Sequence, residues 1–217
     1  MPRLLLEIGC EELPAAACYE AEQQLPALCE RHLGVPPAAL FIGPRRLAFR
    51  VDDLFERTPD EWVKGPPEHL REQAAEGFAR RHGVAVDALE VRDGVLGLTK
   101  AGRPIAEELP RRLEAIVDGL AFGKSMRWDD SGLRFPRPVR WRCAKLDAET
   151  VAGHDGHSFG HRFTHGEVEI ADAGSYEEAL RAVDVEPDAG ERRRRIVEGL
   201  DALGEWSDPL GVLAEVV

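Results

Sequence analysis

The hydrophobic period of this chain switches several times along its length, and that switching limits the fold more than any other feature. A short apolar run, Leu4 to Ile8, reads as a strand that turns through Gly9. From about Pro14 to Leu33 the period is helical, with Cys18, Ala21, Leu25, Leu28 and Cys29 on one face and Pro26 expected to kink it. Leu47, Phe49 and Val51 then alternate with Arg46, Ala48 and Arg50, the period of a half-buried strand. A helix is expected over 68–82, then a hairpin turning at Asp93-Gly94. A further helix carries Ile105, Leu109, Leu113, Ile116 and Val117, with Pro104 in its first turn and Pro110 expected to bend it. Val139 to Leu146 reads as a strand with Arg140 and Arg142 on one face and Val139, Trp141 and Cys143 on the other.

Strands and helices mixed in this order predict an α+β fold, with mixed or antiparallel sheets and packed helices, rather than a doubly wound α/β fold. The expected division is a main domain over 1–65 and 121–172, with an inserted α-β-β-α module over 66–120 beginning at the Gly65-Pro66-Pro67 punctuation. Residues 173–217 read as a helical segment leading to domains beyond this sequence. Ser175 and Glu178 predict a capping box there, and Ile196, Val197, Leu200 and Leu203 an apolar stripe. With 217 residues, such a fold buries roughly 70% of the surface of the unfolded chain and needs no staples. Cys18 and Cys29 lie about 16 Å apart along one helix, too far for a disulfide. The cysteines read as core residues of a protein in a reducing cytosol. Glu7 stops the first apolar run far short of a signal peptide or membrane span.

The net charge is −12, which excludes a uniformly basic nucleic-acid coat but not a local cationic patch, since salt screens beyond about 8 Å. Between Lys124 and Lys145 seven basic residues face two acids, so this window carries +5 and the remainder −17. Trp128, Phe135 and Trp141 are interleaved with the charges. Arginine forks grip phosphates and rings accept unstacked bases, so this segment, with Arg45, Arg46 and Arg50, is the candidate RNA surface. The competing reading places the aromatics in the core and pairs the arginines with this chain's many acids.

Other motifs fail on geometry. Gly119 to Ser125 imitates a phosphate-binding loop, but only three residues separate its glycines, Asp118 stands where the first glycine is needed, and a helix precedes it. His154, His157, His161 and His165 have zinc-like spacing only if helical, and Gly156, Gly160 and Gly166 argue against a helix. Glu11 and Glu12 are adjacent and cannot form a carboxylate dyad on a strand or a helix. Arg192 to Arg195 face every side of a helix and read as solvated. No catalytic residue and no metal site is assigned.

A series of segments then stands out: LLLEIGCEELPAAA (4–17), GPRRLAFRV (43–51), VKGPP (63–67), EGFARRHGV (76–84), FGKSMRW (122–128), FPRPVRW (135–141), GHRFTHG (160–166) and ERRRRI (191–196). In order and spacing they resemble the N-terminal part of the beta subunit of bacterial heterotetrameric glycyl-tRNA synthetase. Departures are local: Cys10 where threonine is common, Gly43 for threonine, Pro136 for valine, and Thr164-His165 for an apolar residue. Pro136 has no backbone donor, so a strand there should start later or lie at an edge. The resemblance implies a chain about a third of the family's length, without its HD-type helical and anticodon-binding domains. It also implies a class II catalytic core, with its ATP, Mg and glycine, in a separate alpha subunit. This chain would need no cofactor of its own. The implied partners are the alpha subunit, tRNA(Gly) and a second beta subunit in an alpha2-beta2 complex in the cytoplasm, with no membrane. On this view Arg45, Arg46, Lys124, Arg127, Arg137, Arg140 and Arg142 are the phosphate-contact candidates. The rival expectations are a protein scaffold that docks the alpha subunit or other beta domains without touching tRNA, and a zinc hydrolase built on the histidines.

Overall fold

The computed structural model describes all 217 residues. They form two compact units, one of residues Met1–Phe55 and Glu108–Val217, the other of Glu56–Glu107. The chain first lays down β1 (Leu4–Cys10), α1 (Ala15–Leu33), β2 (Ala39–Gly43) and β3 (Arg46–Val51). It then builds the second unit from β4 (Glu61–Pro67), α2 (Arg71–His82), β5 (Glu90–Arg92) and β6 (Val95–Lys100). After α3 (Ile105–Gly119) come β7 (Met126–Arg127), β8 (Arg134–Phe135), β9 (Val139–Leu146) and β10 (Glu149–Thr150). The last elements are β11 (His157–Phe159), β12 (Glu167–Glu169), α4 (Tyr176–Arg181), α5 (Ala189–Leu203) and α6 (Val212–Val216). No helix is long and apolar enough to cross a membrane.

The first unit is organised by an antiparallel sheet of order β10-β9-β1-β3-β2. β1 is its centre and every one of its residues is buried, which explains its nearly unbroken apolar run: both faces are covered. One set of side chains, including Leu5, Ala48 and Trp141, packs with Ile170, Tyr176 and Leu180. α1 buries Ala17, Ala21, Leu25, Leu28, Cys29 and Leu33, close to the expected stripe with Cys18 shifted to its edge. It ends at Gly34, whose φ of 77° is the left-handed conformation that glycine adopts freely and whose N–H donates to Glu30 at 3.0 Å. Gly9 and Trp141 stand opposite one another on β1 and β9. A Cβ at Gly9 would lie 1.8 Å from the indole, so the glycine is the space the ring occupies. β8 stops before Pro136 and β9 begins after Pro138, as the missing proline donors require.

Two local expectations change. Ser175 does not cap α4 with its side chain; Asp172 Oδ1 instead accepts from the N–H groups of Gly174 and Ser175 at 2.7 and 3.0 Å. The Ser175 hydroxyl is turned back onto the preceding turn, where it accepts from the Asp172 N–H at 3.1 Å and donates to the Asp172 carbonyl at 2.9 Å, away from the helix donors that a cap would satisfy. The Arg192–Arg195 run is not simply solvated either. Arg192 is half-buried and donates to the carbonyls of Ile42, Glu186, Pro187 and Val217, tying α5 to β2.

The second unit has the antiparallel order β4-β6-β5. Ala75 and Ala79 of α2 meet Leu89, Leu96 and Leu98. Asp93 and Gly94 have φ of 52° and 73°, the paired positive values of a tight hairpin turn, as the Asp-Gly sequence predicts. Its extent differs from the expected 66–120 module. Glu61 to Lys64 pair with Lys100 to Gly97, so the strand before the Gly-Pro punctuation belongs inside the unit. From Glu108 onward α3 belongs to the first unit: Arg112 Nη1 donates to the His32 carbonyl at 2.6 Å, and Gly119 fits against Leu28. Residues 173–217 belong to the first unit as well.

Candidate functional site

The centre of the first unit holds an ion pair. Glu7 of β1 is fully buried, and Arg46 of β3, 6% exposed, places Nη1 3.1 Å from its Oε1. Arg46 also donates to the Phe159 carbonyl at 2.7 Å and lies 3.4 Å from the Ser158 hydroxyl. Both Glu7 oxygens and the Tyr176 hydroxyl lack a well-aligned hydrogen bond, so Arg46 is the charge that makes this acid tolerable. Burial pulls the Arg46 pKa down, but Glu7 and Tyr176 more than offset it and hold it above the ordinary value. Tyr176 is pushed well up, first by burial and then by Glu7. Arg46 is thus a core residue, and the expectation that it grips phosphate is corrected.

Around this pair the protein surface is a lattice of opposite charges. Arg45 Nε lies 3.7 Å from Glu12, Arg140 Nε 3.5 Å from Glu11, and Arg142 Nη1 2.6 Å from Glu114. Arg162 bonds Glu12 and lies 4.0 Å from Glu11; its hydrogen bond holds the Glu12 carboxyl below its usual range. Arg45 and Arg46 each stand 5.9 Å from the Trp141 ring, within cation–π range. A cleft of about 310 Å³ opens here, lined by Glu12, Arg45, Arg162, Phe163 and Arg192 among others. Phe163 is 85% exposed.

The β7–β8 hairpin is different. Lys124, Arg127 and Arg134 are exposed, and no carboxylate pairs with them. Arg134 donates only to the Ser125 carbonyl at 3.0 Å. Trp128, 40% exposed, anchors its Nε1 on the Phe135 carbonyl at 2.9 Å and leaves part of its ring to solvent. Arg137 reaches the carbonyls of Glu12 and Pro136 at 3.1 Å, which orients the guanidinium without neutralising it. Of the seven candidates, Lys124, Arg127 and Arg137 have no carboxylate partner, Arg45, Arg140 and Arg142 face acids, and Arg46 is inside.

The alternative chemistries find little here. The Gly123 N–H faces both Glu20 oxygens at 3.3 Å, so a carboxylate occupies the place a phosphate-binding loop would offer. The histidines find separate or non-metal partners: His157 faces Glu167 at 3.5 Å, His165 faces Asp184 at 3.4 Å, and His161 and His165 meet at the Thr164 hydroxyl, at 3.1 and 2.9 Å. No group of three or more His, Cys, Asp or Glu is placed to hold a metal. All four cysteines are free, and burial pushes the thiols of Cys10, Cys29 and Cys143 up to about 12, the reverse of an activated nucleophile. A thiol reagent is therefore expected to label Cys18 first in the native protein; equal rates at all four sites would contradict this burial.

Sequence reasoning missed Glu7, Arg162 and Phe163. The signal for Glu7 was present, as an acid inside an otherwise apolar strand.

Four segments, the Glu12 turn, 43–46, 160–163 and the start of α5, meet at the cleft although they are far apart in sequence. The profile of the glycyl-tRNA synthetase beta subunit family matches residues 4–214. The chain belongs to the glycyl-tRNA synthetase beta subunit family. Among its relatives, the glycine–tRNA ligase beta subunit of Trichodesmium erythraeum is 35% identical over 93% of this chain and 32% of its own length. That of Picosynechococcus is 37% identical over 100% of this chain and 35% of its own, and that of Phenylobacterium zucineum 39% over 100% and 36%. The chain thus spans about a third of the length of these relatives. In this family member a buried ion pair, a charge-compensated rim and an uncompensated hairpin call for different roles.

Proposed function

We propose that this chain is a non-catalytic region of a cytoplasmic glycine–tRNA ligase, contacting tRNA phosphates through the β7–β8 hairpin and supporting assembly with an alpha subunit and a second beta subunit. ATP, Mg and glycine chemistry belong to the alpha subunit. The observation that carries this reading is the hairpin itself. In a chain of net charge −12, it exposes Lys124 and Arg127 with no carboxylate partner beside a part-open Trp128 ring. Unpaired cations release counterions when they meet phosphate, whereas paired ones must first give up their acids. Lys124→Gln with Arg127→Gln should therefore weaken tRNA binding and flatten the slope of log K against log salt by roughly 1.5, about 0.7–0.9 per lost contact. An unchanged slope in the folded double variant would reject the hairpin as the contact.

A second reading, protein scaffolding, is favoured by Phe163, which stands 85% exposed beside the paired Arg162 and Glu12. An exposed ring rimmed by compensated charge suits a protein partner better than a polyanion. Capture of the alpha subunit by the wild-type chain but not by Phe163→Ala, with tRNA affinity untouched, would favour it.

A further inference from the structure

The second unit contains a groove of about 710 Å³ whose lining includes Lys64, Gly65, Gly77, Phe78, Arg80 and Arg81. We infer that this groove between β4 and α2 binds the phosphodiester backbone of RNA, a proposal that rests on the reading that this protein contacts RNA.

Charge is the first observation. Lys64, Arg80 and Arg81 are exposed and none has an acid partner, whereas Arg92 of the same unit is paired with Glu90 at 2.9 Å. No acid lines the groove. On α2, Gly77 and Arg81 lie on one i,i+4 row that lines the groove, and Arg80, which also lines it, follows Glu72 and Glu76 on the neighbouring row, whose two acids are not part of the lining.

The two glycines are the second observation. At Gly65 a Cβ would sit 2.8 Å from the Leu96 carbonyl and 3.0 Å from the Phe78 ring. Its bareness lets the strand close on the helix, where the β4 register shifts between Lys64 and Pro67. Gly77 has no such reason. Nothing lies within 4 Å of a Cβ built there, and a glycine inside a helix is unfavourable relative to alanine. Packing does not ask for it; close approach of a ligand to the helix backbone does.

The ligand follows from the lining. The groove is much larger than one phosphate, its cations come from both walls, and Phe78 is the one ring in it. It offers the regularly charged backbone of RNA several contacts and offers a peptide no series of apolar pockets. All of its lining residues but Ala74 come from 63–67 and 76–84, two of the segments that carry the resemblance.

The test is a salt-resolved titration of the 217-residue chain with a tRNA(Gly) transcript, poly-glutamate as a second probe, and circular dichroism to verify folding. Lys64→Gln, Arg80→Gln and Arg81→Gln combined should lower RNA affinity on the order of tenfold or more near physiological salt and reduce the log–log slope by about 2. Gly77→Ala should raise the melting temperature yet weaken RNA binding, a pairing that a purely structural glycine would not give. A folded triple variant with the wild-type slope overturns the proposal while leaving the hairpin reading intact. RNA binding unchanged while poly-glutamate binding is lost would overturn it in favour of an acidic protein partner. A wild-type chain that binds no RNA would overturn both readings together.

Discussion

Arg46→Ala is expected to destabilise the protein by about 3–5 kcal/mol, because it leaves the fully buried Glu7 carboxylate with no opposing charge. That is a large share of the roughly 5–15 kcal/mol that holds a typical domain together. The loss exceeds what the ion pair itself is worth. Desolvating two ions costs nearly as much as their attraction returns, so exchanging both for apolar groups should be far milder. Glu7→Leu combined with Arg46→Met is therefore expected to recover most of the stability lost by Arg46→Ala. Urea unfolding of the two variants measures this. A drop of under about 1 kcal/mol for Arg46→Ala would mean the pair is hydrated and Arg46 is free to serve a ligand.

Gly9→Ala should be nearly as severe. The new methyl would lie inside the Trp141 ring envelope, 1.8 Å from Cε2, and the indole is itself held among Phe159, Arg45 and Arg46. Overpacking of this kind costs about 3 kcal/mol, which for a protein of this size lowers the melting temperature by roughly 6–12 °C. Exposed Gly77, with open space around it, should show the opposite sign, so the pair of substitutions separates crowded glycines from open ones.

The parts of the fold legible in the sequence are those set by local chemistry. Val139 to Leu146 could be read because apolar and basic residues alternate across a sheet with one accessible side there. The Asp93-Gly94 hairpin could be read because few other residues accept two successive positive φ values. Arg46 was misleading for a reason beyond the strand. Its alternation with Leu47 is that of a half-exposed sheet, but Tyr176 of α4 and the β11 segment cover its face, and no local pattern announces that second layer. Arg50, four residues on, meets its near neighbour Asp52 at 2.7 Å and Glu177 at 2.5 Å, and the second pairing depends on a helix more than a hundred residues away. The same holds for the rim. Composition showed a cationic window, but only the fold brings Glu11 and Glu114 to its arginines and Glu12 to Arg45. Lys64, Arg80 and Arg81 come from a strand and a helix separated in sequence, and only the fold brings them to one groove.

The central claim is that the arginines and lysines of this chain fall into compensated and uncompensated sets with different duties. It is tested most directly by measuring tRNA(Gly) affinity across a salt series for Lys124→Gln/Arg127→Gln and for Arg140→Gln/Arg142→Gln. The first pair should lose roughly 1.5 from the salt slope and the second much less, since Glu11 and Glu114 already neutralise those side chains. A larger loss from Arg140 and Arg142, or a wild-type affinity indifferent to salt, would contradict the account.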